Sequence, residues 1–224
     1  MIWLRNIVSF FLCLLLLPVP ARAAEEKCVA LTFDGGPAGK YTRQVLDGLY
    51  DRGIRATFVL VGSQMEQHPD LSRRIPEEGH EIAIRGYSRE SMRPMSRRAI
   101  AEEITRTQAL LPPGCAVRFL RPMGDVCTDG VRQVAEARNL ALLSWSADPR
   151  DWSDGNSGSL KAAAVRHVRD GDILLLRDNT AGNAAAALAI ADALMEAGFD
   201  FLTVSDLAKR RNTRIIPGRI YDRF

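Results

Sequence analysis

The stretch that decides the fold is LTFDGGP, which spans Leu31 to Pro37. Its first three residues suit a β-strand, and they lead directly into the carboxylate of Asp34. Two glycines and a proline follow, which is the composition of a turn. Parallel α/β proteins collect their ligand-binding and catalytic groups at the carboxyl ends of such strands. Asp34 is therefore the first candidate for a functional residue.

The amino terminus resembles a signal peptide. Arg5 supplies a positive charge, Ile7 to Pro20 is apolar, and residues 21–23, which read ARA, fit a small-residue cleavage site. The apolar run is shorter than the roughly 20 residues that a membrane-spanning helix needs. We therefore expect residues 1–23 to be removed and the mature protein to be secreted or periplasmic, without a stable membrane span.

Size and charge limit the remaining possibilities. The chain has 224 residues and a mass of 24.8 kDa, which is room for one α/β domain, and we place it at residues 24–208. Cleavage would remove two arginines and no acid, so the net charge would fall from +3 to +1. A nearly neutral protein is not expected to bind nucleic acid or anionic membranes in general, and we expect a monomer. The basic tail at residues 209–224 is interpreted as a solvated or docked end piece, with contact to an anionic glycan as the alternative.

Three cysteines remain after the signal segment: Cys28, Cys115 and Cys127. Export makes a disulfide possible, and an odd number allows at most one internal pair. We favour Cys115 with Cys127, because they bracket one short predicted strand. The alternative is that all three are small buried apolar side chains.

Strand-like and helix-like segments alternate along the rest of the chain. The predicted strands are Cys28–Phe33, Ala56–Val61, Glu81–Ile84, Val117–Leu120, Leu140–Trp145, Asp172–Leu176 and Phe201–Val204. The predicted helices are Tyr41–Arg52, Leu71–Glu78, Arg97–Leu111, Gly130–Arg138, Leu160–Arg169 and Ala184–Ala197, with Ser96 as an N-cap and Gly53, Gly79 and Gly198 as helix ends. Most of the strands are short, apolar and β-branched, which is typical of buried parallel strands. Seven such units without a dinucleotide-binding glycine motif predict a barrel-like sheet.

Polar residues follow the predicted strands at the same end of each. They are Asp34 after the first strand, Arg85 and Arg89 after the third, Arg121 after the fourth, Asp148, Asp151 and Trp152 after the fifth, and Arg177 and Asp178 after the sixth. In a barrel these loops meet on one face, so the residues are expected to converge. A single charged loop residue is usually solvated surface. Its recurrence after five strands is what predicts a site.

Five motifs resemble those of the polysaccharide deacetylases, the NodB-homology domain of carbohydrate esterase family four. LTFDGGP is similar to the family's first motif, usually written TFDDGP. Four further motifs follow in the family's order and spacing: GHEIAIRGYSRE (79–90), RPMG (121–124), SWSADPRDW (144–152) and GDILLLRD (171–178). The resemblance covers essentially all of the chain after the signal segment. It implies a distorted (β/α)7 barrel in a single domain.

The resemblance also implies a reaction. Members of the family remove an acetyl group from an N-acetylated sugar polymer, using a metal ion, typically zinc, that one aspartate and two histidines hold. A second aspartate acts as a base and a further histidine as an acid. By this resemblance, Asp34 stands at the base position and Arg121 at the arginine that positions the base. Asp151 and Trp152 stand at the carboxylate and the aromatic residue of the fourth motif.

The other catalytic positions depart from the family. Gly35 stands where the metal-ligand aspartate is expected, and Arg85 and Arg89 stand at the two metal-ligand histidines. Arg177 stands at the acid histidine. A guanidinium has no acceptor lone pair and does not lose its proton in proteins, so these arginines cannot ligate a metal ion. We therefore predict that the metal cofactor is absent.

Two interpretations of the altered site are open. In the first, the arginines replace the charge of the metal ion and bind a glycan that carries carboxylate, phosphate or sulfate, with Trp152 as a stacking surface. In the second, Arg121 pairs with Asp34. Arg177 pairs with Asp151 in the same way, and the closed network binds nothing.

The leading prediction is a secreted polysaccharide-deacetylase-like protein that has lost metal-dependent N-deacetylase activity and binds acidic glycans as a pseudoenzyme. The alternative is an active hydrolase of non-peptide carbon–nitrogen bonds that deacetylates chitin oligomers or peptidoglycan. In that enzyme, Asp34 would activate water and the arginines would stabilise the oxyanion. A third class is a structural or partner-binding domain of the cell envelope, for which the sequence has no interface signature.

Overall fold

A parallel sheet forms the centre of the structure, a computed structural model that describes residues 27–151 and 157–224, with side chains for 27–150 and 160–224. The predicted signal segment and Trp152 lie outside the described residues, as does the side chain of Asp151. The described strands are β1 (Lys27–Asp34), β2 (Thr57–Val61), β3 (Glu81–Gly86), β4 (Phe119–Leu120), β5 (Ala141–Leu143), β6 (Ile173–Leu176), β7 (Phe199–Phe201) and β8 (Ile220–Tyr221).

The strands follow the order β6-β1-β2-β3-β4-β5-β8, and β7 pairs with the start of β1 off this path. All of these strand pairs are parallel. The chain after β5 contacts β6. There Ala147 pairs with Leu174 and accepts a hydrogen bond of 2.9 Å from the backbone N–H of Leu175. This contact curls the sheet into a barrel. The predicted α/β fold, a distorted (β/α)7 barrel in a single domain, is confirmed.

Helices follow the strands and cover the outside of the barrel. They are α1 (Lys40–Asp51), α2 (Gly62–Gln67), α3 (Pro69–Glu77), α4 (Arg97–Gln108), α5 (Asp129–Ala137), α6 (Ser157–His167), α7 (Ala181–Glu196) and α8 (Val204–Arg210), with a short 3₁₀ helix at Pro149–Asp151. Ser96 caps α4 as predicted, because its hydroxyl accepts a hydrogen bond from the N–H of Ala99. None of the helices in the described part of the chain is long and apolar enough to cross a membrane.

The last part of the chain differs most from the prediction. Strand β7 begins two residues and ends three residues earlier than predicted, because Thr203 caps a helix that begins at Val204. This helix, α8, runs through the predicted domain boundary after residue 208. The tail then contributes β8, which pairs with β5, and Tyr221 is buried. The tail is thus docked on the barrel.

Alternate residues of each strand face opposite sides of the sheet, and this alternation fixes the two layers of the core. In β1, the side chains of Leu31 and Phe33 pack among the helices outside the barrel. Cys28 and Ala30 belong to a second cluster in the interior, with residues of β2, β3, β4 and β5. Thr32 and Asp34 continue this interior row. The period of two therefore turns Asp34 inward at the end of its strand.

The favoured disulfide between Cys115 and Cys127 is wrong, because the structure has both cysteines free, together with Cys28. The two residues lie before and after β4, so the strand that they bracket places them towards its opposite ends. The alternative fits Cys28, which is fully buried, and not Cys127, which is exposed.

Candidate functional site

Three of the predicted site residues meet at the carboxyl end of the barrel. Asp34 ends β1, Arg85 lies near the end of β3, and Arg121 directly follows β4. Each continues a row of interior residues, since Ala83 and Phe119, two positions before the arginines, belong to the interior cluster. Parallel strands in this register bring the three side chains to one place, as the sequence predicted.

Both arginines hold the same oxygen of Asp34. Nη1 of Arg85 donates to Oδ1 of Asp34 at 2.9 Å, and Nη1 of Arg121 lies 3.5 Å from that oxygen. The carboxylate is only 8% exposed. The predicted pair between Arg121 and Asp34 is therefore present, and Arg85 adds a shorter contact that the sequence did not indicate.

Arg121 is completely buried and is satisfied on every side. Its Nη2 donates to the hydroxyl of Thr32 at 3.0 Å and to the carbonyl of Ser144 at 2.9 Å, and its Nε donates to the carbonyl of Leu143 at 3.4 Å. Burial lowers the pKa of Arg121 to about 10, although the negative charge of Asp34 opposes this shift. Arg121 thus remains charged at neutral pH and ties β1, β4 and the end of β5 together.

Arg85 bridges two carboxylates. Its Nη2 donates to Oδ1 of Asp125 at 2.9 Å, while Nη1 donates to Asp34 and Nε contacts Sδ of Met123 at 3.3 Å. Asp125 has a φ of +54°, a left-handed conformation that is uncommon for a residue with a Cβ. No pattern in the sequence indicated Asp125 as a site residue. An unusual backbone conformation next to a buried charge is typical of functional sites.

Arg89 lies at the surface of the same site. It is exposed, and its Nη2 donates to the carbonyl of Gly35 at 3.1 Å. The structure thus brings both arginines of the second motif to the first motif, as the resemblance implied.

Arg177 faces a different cavity. It lines a space of about 60 Å³ together with Asp148, Arg150 and Asn183. Arg150 holds the Asp148 carboxylate through its side chain, at distances down to 2.6 Å. Among the described residues, Arg177 is not hydrogen-bonded to Asp34. Its predicted pair with Asp151 lies outside the described side chains, as does the predicted stacking surface of Trp152.

Asp178 is a buried carboxyl group behind the first motif. It is 0% exposed, its Oδ2 accepts a hydrogen bond from the hydroxyl of Thr42, and its Oδ1 has no partner in the described part of the chain. A Cβ at Gly36 would lie 3.0 Å from Oδ2 of Asp178, so only glycine fits there without a shift. Burial raises the pKa of Asp178 to about 6, and the charge of Asp34 adds to the shift.

This raised pKa predicts a specific pH dependence of stability. The folded protein binds a proton at Asp178 more tightly than the unfolded chain does. Protonated Asp178 therefore adds to the free energy of unfolding, fully below the usual pKa of 3.8, and this addition is lost as the pH rises to about 6. The loss is on the order of 3 kcal/mol. We expect the free energy of unfolding of wild type to fall by this amount between pH 4 and pH 7 relative to Asp178→Asn, in urea titrations. If the free energy of unfolding changed with pH in the same way in both proteins, the raised pKa of Asp178 would be contradicted.

The residues at this end of the barrel do not fit the metal ion that the resemblance implies. Arg85 and Arg89 offer only N–H donors, and Gly35 offers no side chain. Among the described residues, no group of three or more His, Cys, Asp or Glu side chains could hold a metal ion. His80 is buried at the start of β3, where its Nδ1 accepts a hydrogen bond from the N–H of Ala56. His68 lies beside Gly39, outside the ligand positions.

The distorted (β/α)7 barrel is the fold of family 4 carbohydrate esterases of known structure. The chain belongs to the polysaccharide deacetylase family, because a sequence profile described as polysaccharide deacetylase matches residues 21–142. This confirms the family that the motifs indicated.

Named relatives of the chain are deacetylases. It is 31% identical to the peptidoglycan-N-acetylglucosamine deacetylase PgdA of Listeria monocytogenes over 192 residues. This match covers 85% of this chain and 41% of the relative. It is 33% identical to a peptidoglycan-N-acetylglucosamine deacetylase of Bacillus cereus, over 84% of this chain and 91% of the relative. It is 32% identical to a chitooligosaccharide deacetylase of Sinorhizobium fredii, over 71% of this chain and 76% of the relative. The chain thus spans about two fifths of the Listeria protein.

A solved structure shows the same fold. The family 4 acetyl xylan esterase of Clostridium thermocellum, in complex with a cobalt ion, superposes with a TM-score of 0.79 at 30% identity. The superposition covers 88% of this chain and 98% of the esterase.

Proposed function

We propose that this chain is a carbohydrate-binding member of the polysaccharide deacetylase family that does not perform metal-dependent N-deacetylation, and that it binds an acidic glycan at the arginine-rich end of the barrel. The observation that carries this proposal is the 2.9 Å hydrogen bond from Arg85 to Asp34. By the resemblance, this contact joins a metal-ligand position to the base position.

The contact changes what the site can do. Oδ1 of Asp34 accepts from Arg85 as well as from Arg121, the arginine that the resemblance assigns to positioning the base, so this oxygen already has two cationic donors. The arginines bring positive charge that pairs well with planar anions. Recognition of an anionic group therefore suits these residues better than activation of a metal-bound water.

The second candidate is an active hydrolase of carbon–nitrogen bonds on N-acetylated amino sugars, such as chitin oligomers or peptidoglycan. The comparisons favour it over the first candidate, because the relatives are named as peptidoglycan and chitooligosaccharide deacetylases. In this chain Arg85 and Arg89 would stabilise an oxyanion and Asp34 would act as the base. No described residue at the site replaces the acid histidine.

One experiment separates the two candidates. The purified chain is supplied with zinc, cobalt and nickel in turn, and bound metal and acetate release from chito-oligosaccharides and peptidoglycan fragments are measured. The Bacillus cereus relative serves as the active control. We expect no stoichiometric metal and no acetate. Acetate release that is lost in Asp34→Asn would establish the second candidate and overturn the first.

We also propose that the protein is exported by cleavage after residue 23 and acts as a monomer. The apolar segment Ile7 to Pro20, followed by a small-residue site, supports export. Amino-terminal sequencing of the mature protein and light scattering after gel filtration test the two statements. A mature chain that begins at Met1, or a dimeric mass, would contradict the corresponding one.

A further inference from the structure

Asp125 covers the outer edge of Arg85. The guanidinium of Arg85 is almost buried, whereas the Asp125 side chain is 40% exposed and accepts from the outward Nη2. Removing the carboxylate of Asp125 would therefore open Nη2 of Arg85 to solvent. A carboxylate or a similar planar anion from outside fits the same position, because it offers the same acceptor to the same donor.

The hydrogen-bond donors around this position suit an incoming anion. Arg85 and Arg89 each bring a guanidinium to this end of the barrel, and Arg121 pairs with Asp34 inside it, while the buried carboxyl group of Asp178 lies behind the first motif. Arg89 is exposed and contacts this group of residues only through a single hydrogen bond to the carbonyl of Gly35. Asp125 does not contact Arg89 in the described hydrogen bonds, so a ligand that replaced Asp125 and also reached Arg89 would gain a second cation.

The loop that carries Asp125 also borders space for the rest of a ligand. A cavity of about 180 Å³ lies between Asp125 and the end of β5 and is lined by Arg121, Val126, Leu143 and Trp145. Apolar side chains and the ring of Trp145 are among its lining residues, which is the composition of pockets that bind small organic ligands.

We propose that Arg85 and Arg89 form a binding site for the carboxylate of an acidic sugar, and that Asp125 occupies this site as an intramolecular competitor which the sugar displaces. This inference rests on the proposed function, since it names the chemical group of the glycan that the site recognises. A hexuronic acid and a sugar with a lactyl ether both supply such a carboxylate.

The test measures binding by calorimetry for wild type, Asp125→Asn and Asp125→Gly. Asparagine tolerates the left-handed backbone and glycine favours it, so neither change imposes backbone strain. The probes are N-acetylmuramic acid and glucuronic acid, with N-acetylglucosamine and glucose as their neutral counterparts. The control is Asp129→Asn, which removes the same negative charge at an exposed residue of the next helix.

We expect both substitutions of Asp125 to lower the dissociation constant for at least one acidic probe by about tenfold, as when a competing state is removed. The neutral probes and Asp129→Asn should show no such gain, and Arg89→Ala should weaken binding of the acidic probe. The probe that responds identifies the source of the carboxylate.

Two results would overturn the inference, and they have different meanings. If wild type binds acidic sugars but neither substitution of Asp125 tightens binding, Asp125 is not a competitor and the proposed function stands. If none of the proteins binds any sugar, the glycan-binding function fails and the inference fails with it.

Discussion

The triple variant Gly35→Asp, Arg85→His and Arg89→His is expected to bind one zinc ion per chain, at least about a thousandfold more tightly than wild type. These substitutions supply one carboxylate and two imidazoles at the positions that the family resemblance assigns to the metal ligands. They also remove two positive charges that repel a cation from the carboxyl end of the barrel. Equilibrium dialysis with metal analysis measures the change.

Gly35 sets a limit on how well this variant can bind. No atom lies within 4 Å of a Cβ at this position, so an aspartate has room, but the φ of +87° is one that residues with a Cβ rarely adopt. The backbone cost is about 1–2 kcal/mol. The matched controls are Gly35→Asp alone, which keeps both guanidiniums, and the two histidine substitutions without Gly35→Asp. We expect no zinc in the first control and weaker zinc in the second.

The zinc measurements distinguish two reasons for a lack of metal binding: unsuitable ligand side chains and a changed arrangement of the loops. A folded triple variant without zinc would mean that the loops at this end of the barrel no longer converge as in the family. Stoichiometric zinc in wild type would mean that residues outside the described ranges hold a metal, and that the assignment of the ligand positions is wrong.

The sequence alone was sufficient to predict that Asp34, Arg85 and Arg121 converge. Short apolar strands predicted a parallel barrel, and the alternation of side chains along a strand turns residues at equivalent ends to the same side. The position of each residue relative to its strand end therefore carried the spatial information. The same regularity correctly placed Ser96 at the start of α4.

The contacts made by loops were not predictable in the same way. Asp125 reaches Arg85 because the chain turns after β4 and adopts a left-handed conformation, and no period in the sequence encodes that turn. The half-buried position of Arg177 beside Asp148 depends on the path of the chain after β5. Strand β8 is only two residues long, so it gave no detectable alternation.

Arg121→Ala is expected to lower the free energy of unfolding by about 3–5 kcal/mol, which is the usual cost of removing one partner from a buried ion pair. The substitution leaves the carbonyls of Leu143 and Ser144 without their described side-chain donor and opens a cavity where a fully buried side chain stood. Urea denaturation followed by circular dichroism measures the loss. Fluorescence is less suitable, because the guanidinium of Arg121 lies 5.5 Å from the ring centre of Trp145 and its removal changes that signal directly.

Two matched variants show whether the loss comes from the buried guanidinium or from charge at this end of the barrel. Arg121→Lys keeps the charge but cannot reach Asp34, Thr32 and two carbonyls with one ammonium group, so we expect an intermediate loss. Arg89→Ala removes the same charge at an exposed position, so we expect a loss below about 1 kcal/mol. Similar losses for Arg121→Ala and Arg89→Ala would contradict the structural role of Arg121. A large loss confined to Arg121 would mean that this residue, which the resemblance assigns to positioning the base, holds the barrel together whether or not the protein is an active enzyme.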